Sequence, residues 1–187
     1  MTALLQFPGR PESGRRRRLF KRKVAPVVEV TTRTISIQHI TIVSNKSFED
    51  TRSAFEKALG RLDENVFVLL QYGEVERAME VLESLPPLVI AGVRDHGILL
   101  KVWGQDRKAL KYDCGNALTA TKMTRHQLSA GLYAPLRVLL RESGEGEVAF
   151  EYDRPSDVFG QLGDSNVDAV AKDLDVLLED TLREVAS

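Results

Sequence analysis

The chain has 187 residues, a formal net charge of −1 and one cysteine, Cys114. That length suits a single domain with tails and a core that needs neither a metal nor a disulfide, and a lone cysteine excludes an internal bridge or a multi-cysteine metal site. The charge is unevenly placed: residues 1–23 hold eight bases and one acid, +7, and the remainder holds 18 bases and 26 acids, −8.

Residues 1–26 combine Pro8, Gly9, Pro11 and Gly14 with the basic set Arg15, Arg16, Arg17, Arg18, Lys21, Arg22 and Lys23 and show no periodicity, which reads as a disordered leader. Its apolar residues precede its bases, the reverse of a secretory signal, and the longest apolar run, Val66 to Leu70, is too short to span a bilayer. A soluble, cytoplasmic protein in a reducing compartment is expected. The basic set can touch an anionic surface weakly, but the acidic remainder carries no groove-reading motif, so no specific nucleic-acid partner is expected.

A folded domain is expected over 27–187. Rough alternation of Ile35, Ile37, His39 or Ile40, and Ile42 with Thr, Ser and Gln predicts a strand over about 33–43. Ser47 can cap a helix whose apolar stripe is Phe48, Thr51, Ala54, Phe55, Ala58 and Leu62, ending near Gly60. Residues 64–71 fit a helix or a buried strand equally, and 73–85 read as an amphipathic helix stopped by Pro86 and Pro87. Strands are predicted over 88–91, 97–103 and 109–114 as a meander, then a short helix over 119–126. Strands over 136–141 and 148–152 flank a turn with two glycines, a hairpin, and a helix from Val167 to Val185, capped by Ser165 or Asn166, packs across the sheet. The fold class is α+β: one compact domain, mostly antiparallel sheet covered by helices.

Motifs for nucleotide binding and serine hydrolysis are missing, and no two histidines or cysteines stand at metal-ligand spacing, so no cofactor and no metal are assigned. His96 beside Asp95 is the candidate general base, because a carboxylate next to an imidazole can fix its tautomer; the alternative is a turn acid beside a partly buried histidine. Cys114 ends a strand just before a helix, where a thiol can be activated, although free cysteine is more often a small buried apolar residue. Gly115 and Asn116 form that strand-to-helix turn, an oxyanion or anion site in one reading and a plain N-cap in the other.

Several stretches carry a resemblance: Asp95-His96-Gly97, Gly115-Asn116 with the residues to His126, and Ala130-Gly131-Leu132-Tyr133-Ala134-Pro135-Leu136-Arg137-Val138. From about Thr34 to Phe159 the chain resembles the domain-of-unknown-function 302 family. The resemblance implies a compact α+β domain that tends to self-associate as a homodimer, without established activity or cofactor. It places His96, Gly115, Asn116, Pro135 and Leu136 on motif positions. The family usually has Gly-Asn-Pro, and position 117 here is Ala.

Three functions compete. The first is a ligand-binding or regulatory module with a pocket formed by His96, Gly115, Asn116 and Tyr133. The second is a small isomerase or lyase with His96 as base and the Gly115-Asn116 turn as oxyanion stabiliser. The third is an accessory protein acting through the basic leader.

Overall fold

Ser47 opens the first helix of the computed structural model, which describes residues 28–187. The expected leader and its basic set lie outside the described residues, and residues 28–38 form neither helix nor strand. The elements run β1 (His39–Val43), α1 (Phe48–Leu59), α2 (Asn65–Gln71), α3 (Val75–Ser84), β2 (Val89–Asp95), β3 (Ala109–Gly115), α4 (Ala117–Thr124), β4 (Leu136–Glu142), β5 (Val148–Asp153), α5 (Pro155–Gly160) and α6 (Ser165–Ala186). Two 3₁₀ turns, Ile98–Trp103 and Leu128–Leu132, complete the described order.

The sheet order is β1-β5-β4-β3-β2, with every ladder antiparallel. Directly opposed residues share a face, so the registers divide the sheet cleanly. Ile42, Phe150, Leu140 and Leu110 lie opposite one another on the inner face, and all four are buried. Thr41, Glu151, Leu139 and Lys111 form the neighbouring row on the outer face. That outer face is open and satisfied by polar pairs: Arg141 meets Glu151 at 2.7 Å and Lys111 meets Asp113 at 2.8 Å as ion pairs, and His39 Nδ1 is hydrogen-bonded to Asp153 at 3.1 Å. One polar and one apolar face is the usual consequence of two-residue alternation in an antiparallel sheet.

Helices α1 and α6 cover the inner face. In α1, Ser47 Oγ accepts the Asp50 amide, Glu49 and Asp50 sit where the helix dipole favours acids, and Phe48, Thr51, Phe55 and Leu59 are buried at helical spacing. Gly60, at φ +67°, ends it, a left-handed conformation that suits glycine. In α6, Val167, Ala171, Leu174, Leu178, Leu182 and Val185 repeat at three and four residues and share one core with the inner strand face. The end of α6 is tied back to the first strand: Ser44 Oγ bonds Thr51 Oγ1 at 2.8 Å and the Ala186 carbonyl at 3.1 Å.

Helices α2 and α3 keep a small core of their own, Val66, Leu69, Ala78 and Leu82, against which Ala117 and Leu118 of α4 pack. The ambiguous segment 64–71 is therefore helix.

Several sequence expectations need correction. Strand β1 begins at His39, six residues later than expected. The predicted strand over 97–103 is a 3₁₀ turn, so the three-strand meander is a pair, β2 and β3. Two local devices decide this: Asp95 Oδ1 accepts the Ile98 amide at 2.9 Å, and Gly104, at φ +68°, closes the turn. Helix α4 begins two residues before the expected start. The cap of α6 is Asp164, whose carboxylate accepts the Asn166 and Val167 amides and is held below its ordinary range by those bonds; Ser165 and Asn166 lie within the helix. The C-cap glycine of α1, α3 ending before the prolines, and the β4–β5 hairpin match expectation, the hairpin turn closing through a Gly146 amide bond to the Ser143 carbonyl at 3.1 Å.

Candidate functional site

Strand β3 ends at Gly115 and α4 starts at Ala117, so Asn116 alone makes the turn between them. It does two jobs. Its Oδ1 accepts the Leu118 amide at 2.9 Å and the Thr119 amide at 3.3 Å, which caps α4; its Nδ2 donates to the Pro86 carbonyl at 3.0 Å, which holds the end of the α3–β2 connection. With both side-chain functions so engaged, Asn116 is a structural clasp. The N-cap reading describes its geometry.

Beneath this turn lies a cavity of about 330 Å³. The inner end of the sheet supplies Val89, Cys114 and Gly115, α4 supplies Ala117, Ala120 and Met123, and Leu62 and Phe67 close it from the α2 side. Pro135, which follows a cis peptide bond, and Phe159 and Leu174 complete the wall. Among the described residues no Asp, Glu, His, Lys or Arg lines it. The one ionisable group that the described residues give it is the Cys114 thiol, fully buried, which burial and then the neighbouring Asp113 carboxylate push up to about 12. The thiol is therefore neutral at physiological pH and behaves as a small apolar wall group rather than a nucleophile.

The four residues singled out from sequence do not converge on this cavity. Gly115 and Asn116 line it. Tyr133 is turned to a separate hollow of about 20 Å³ with Arg137, Asp153 and Pro155, and its ring packs edge-on against Phe159 at 6.0 Å between centroids. His96 lies beyond the opposite end of β2. Val89 pairs with Gly115 and Asp95 pairs with Leu110, so the histidine is separated from the turn by the length of a seven-residue strand, roughly 20 Å at about 3.3 Å per residue. It is exposed, contrary to the partly buried environment expected, because the chain leaves the sheet at its backbone bond to the Ala109 carbonyl. Asp95 spends its carboxylate on the Ile98 amide, the turn-acid role.

Phe67, Ala120, Phe159 and Leu174 were not singled out by sequence. Apolar residues that line a cavity and apolar residues that fill a core have the same periodicity, so no sequence signal separates them. Among the described residues no group of three or more His, Cys, Asp or Glu side chains is gathered as a metal would need, and no helix is long and apolar enough to cross a membrane.

No curated protein matches the chain. A crystal structure of an uncharacterized conserved protein DUF302 from Bacillus stearothermophilus superposes with a TM-score of 0.58 at 14% identity, covering 80% of this chain and 98% of that one, a likeness of fold. The family model described as domain of unknown function DUF302 matches residues 68–185, starting later and ending later than the stretch of resemblance read from sequence. That span takes in β2 to β5, α4 and nearly all of α6, hence most of the cavity wall, and the chain belongs to the DUF302 family, whose members have no established activity.

Proposed function

We propose that this protein is a small-ligand-binding module that takes a compact, neutral, apolar molecule into the cavity under the Gly115–Asn116 turn and releases it unchanged. The observation that carries the reading is the chemistry of the wall. A cavity of about 330 Å³ is within the size range of small-molecule sites, and its lining is mostly Val, Ala, Leu, Met, Phe and Pro, with Asn116, Thr119 and Thr121 as its neutral polar members, so it rewards apolar surface. A charged metabolite would lose its hydration there without gaining an ion pair. Acid–base turnover needs a titrating group within hydrogen-bond reach of the reacting atom, and among the described residues the only ionisable side chain on the wall is a neutral thiol.

The test is a fluorescence titration of the full chain with N-phenyl-1-naphthylamine, a neutral apolar fluorophore, competed by medium-chain alcohols. Wild type is expected to bind, the competitors to displace the dye, and Ala120→Leu, which fills the cavity from α4, to weaken binding at least about tenfold, the effect of about 1.4 kcal/mol. His96→Ala is expected to bind as wild type does. Equal binding by Ala120→Leu and wild type would sink the proposal.

A second reading, self-association, is favoured by a different surface. Ile98, Leu99, Val102 and Trp103 are exposed together on the 3₁₀ turn that follows the edge strand β2. A second copy covering them forms the homodimer, and sedimentation of wild type against Trp103→Ser, with the variant expected monomeric, tests it.

A further inference from the structure

Between its two roots, the α2–α3 hairpin makes no polar bond to any other described part of the protein. Every hydrogen bond and ion pair of residues 63–85 among the described residues is internal: Asn65 to Asp63, Arg77 to Glu74, Ser84 to Val81, and the helical and turn bonds. The first root is a short parallel bridge, in which Ile90 donates to Gly60 O and Leu62 donates to Ile90 O, each at 3.0 Å. The second is the bond of Asn116 Nδ2 to the Pro86 carbonyl. Each root adjoins a residue of special backbone, Gly60 at φ +67° on one side and the Pro86-Pro87 pair on the other.

What lies between the roots is apolar contact. The hairpin has its own four-residue core, apart from the main one, and it meets α4 through Ala117 and Leu118. On its near side it supplies Phe67 to the cavity wall, and Leu62 lines the wall at its first root. A unit with a private core can move as a body without unpacking that core, and apolar contacts have no direction to be broken in register.

We propose that the α2–α3 hairpin is the lid of the apolar cavity, hinged at Gly60–Leu62 and Pro86–Pro87, and that the Asn116–Pro86 bond is its latch. This rests on the ligand-binding reading for its purpose, but not for its mechanics. When the lid swings, Phe67 leaves the wall and the cavity opens at the α2 side; when it closes over an apolar ligand, Phe67 gains contact and the ligand holds the lid shut. Because Asn116 also caps α4 and lines the cavity, the latch, the helix start and the wall are one side chain.

Asn116→Asp separates these jobs. Aspartate keeps the side-chain acceptor that caps α4, where the helix dipole favours its charge, and replaces the N–H donated to Pro86 with a carboxylate oxygen that the carbonyl repels. Hydrogen exchange of the full chain is measured for wild type and Asn116→Asp, with and without N-phenyl-1-naphthylamine. Amides of Asn65–Gln71 and Val75–Ser84 are expected to exchange as one group, ahead of β3 and β4, and to speed up about fivefold in the variant, the scale of one lost hydrogen bond, with the sheet unchanged. Saturating dye is expected to slow the same group in wild type. Hairpin amides exchanging at the sheet's rate in both proteins, or a variant that accelerates α4 and leaves the hairpin as it was, overturns the lid. Failure of the dye to bind overturns the ligand reading instead, and leaves the exchange of the unliganded proteins to decide the lid.

Discussion

Tyr112, from the middle of the sheet, donates its phenol to Glu56 of α1 at 2.9 Å, and the same carboxylate oxygen accepts Arg52 Nε at 3.0 Å. Around it the Tyr112 ring packs edge-on against Phe55 at 4.9 Å. The helix is thus joined to the sheet by a charge-assisted bond at the margin of an aromatic contact, where the apolar half excludes water and strengthens the polar half. Burial pushes the Glu56 carboxyl up, and the bonds from Arg52 and Tyr112 outweigh it, so it lies below its ordinary range; burial and the Glu56 bond raise Tyr112.

Removing the phenol oxygen tests this junction. Tyr112→Phe is expected to lose about 2 kcal/mol in urea unfolding at neutral pH, the scale of a hydrogen bond to a charged group. A carboxyl whose folded pKa is depressed contributes stability that is full above its unfolded pKa and lost as pH falls through its folded one. The gap between wild type and Tyr112→Phe is therefore expected to narrow when the titration is repeated in acid. An equal gap at both pH values would show that the charge on Glu56 adds nothing to the bond.

Gly97 is the residue of the Asp95-His96-Gly97 motif for which the structure gives a steric reason. A Cβ there would stand 2.2 Å from the Arg107 carbonyl oxygen and 2.9 Å from the Ala109 amide, both backbone atoms that cannot swing aside. Gly97→Ala is expected to cost about 3 kcal/mol, at the upper end for overpacking, whereas Gly115→Ala, whose Cβ would meet Pro135 at 3.7 Å, costs under about 1 kcal/mol. Thermal unfolding of the two variants checks the order.

These cases mark what the sequence could convey. The bounds of α1, the β4–β5 hairpin and the apolar period of α6 were legible because local residues specify them, but the α1 stripe was only half read: Phe48, Thr51 and Phe55 are buried, Ala58 is exposed, Leu59 is buried in its place, and Leu62 lies beyond the helix. The turn at Ile98–Trp103 was not, since a run of Ile, Leu, Val and Trp has strand composition and only the Asp95 cap and left-handed Gly104 overrule it. The site was half legible for the same reason. Gly115 and Asn116 announce a strand-to-helix turn, but the distance from that turn to His96 depends on which end of β2 pairs with it, a fact of register. The cavity wall was hidden among core residues.

The Cys114 thiol gives an alkaline signature. Its folded pKa is raised from 9.0 to about 12, so its contribution is full below the unfolded value and declines as pH rises above it. Native protein is expected to resist a thiol reagent at pH 8 and to react fully once unfolded. The stability advantage of wild type over Cys114→Ala is expected to shrink by about 2 kcal/mol between pH 7 and pH 10.5, from about 1.4 kcal/mol per pH unit above 9. Rapid native labelling at pH 8 would instead place the thiol in contact with water.

Ala117 stands where the related motif has proline, and the backbone is prepared for that residue. It is the first residue of α4, where proline's missing N–H and fixed φ are tolerated. Asn116 before it sits at φ −130° and ψ 129°, inside the extended region that a following proline requires. Ala117→Pro is therefore expected to raise stability by about 0.4–1 kcal/mol through the entropy of the unfolded chain, with the Asn116 cap intact. Because Ala117 also lines the cavity and packs on the α2–α3 core, the same variant reports on the lid. A stiffened turn holds Asn116 toward Pro86, so hairpin amides are expected to exchange more slowly than in wild type. A loss of stability would mean that the proline ring collides with α2 or α3, and that alanine at this position belongs to the close fit of the hairpin on α4.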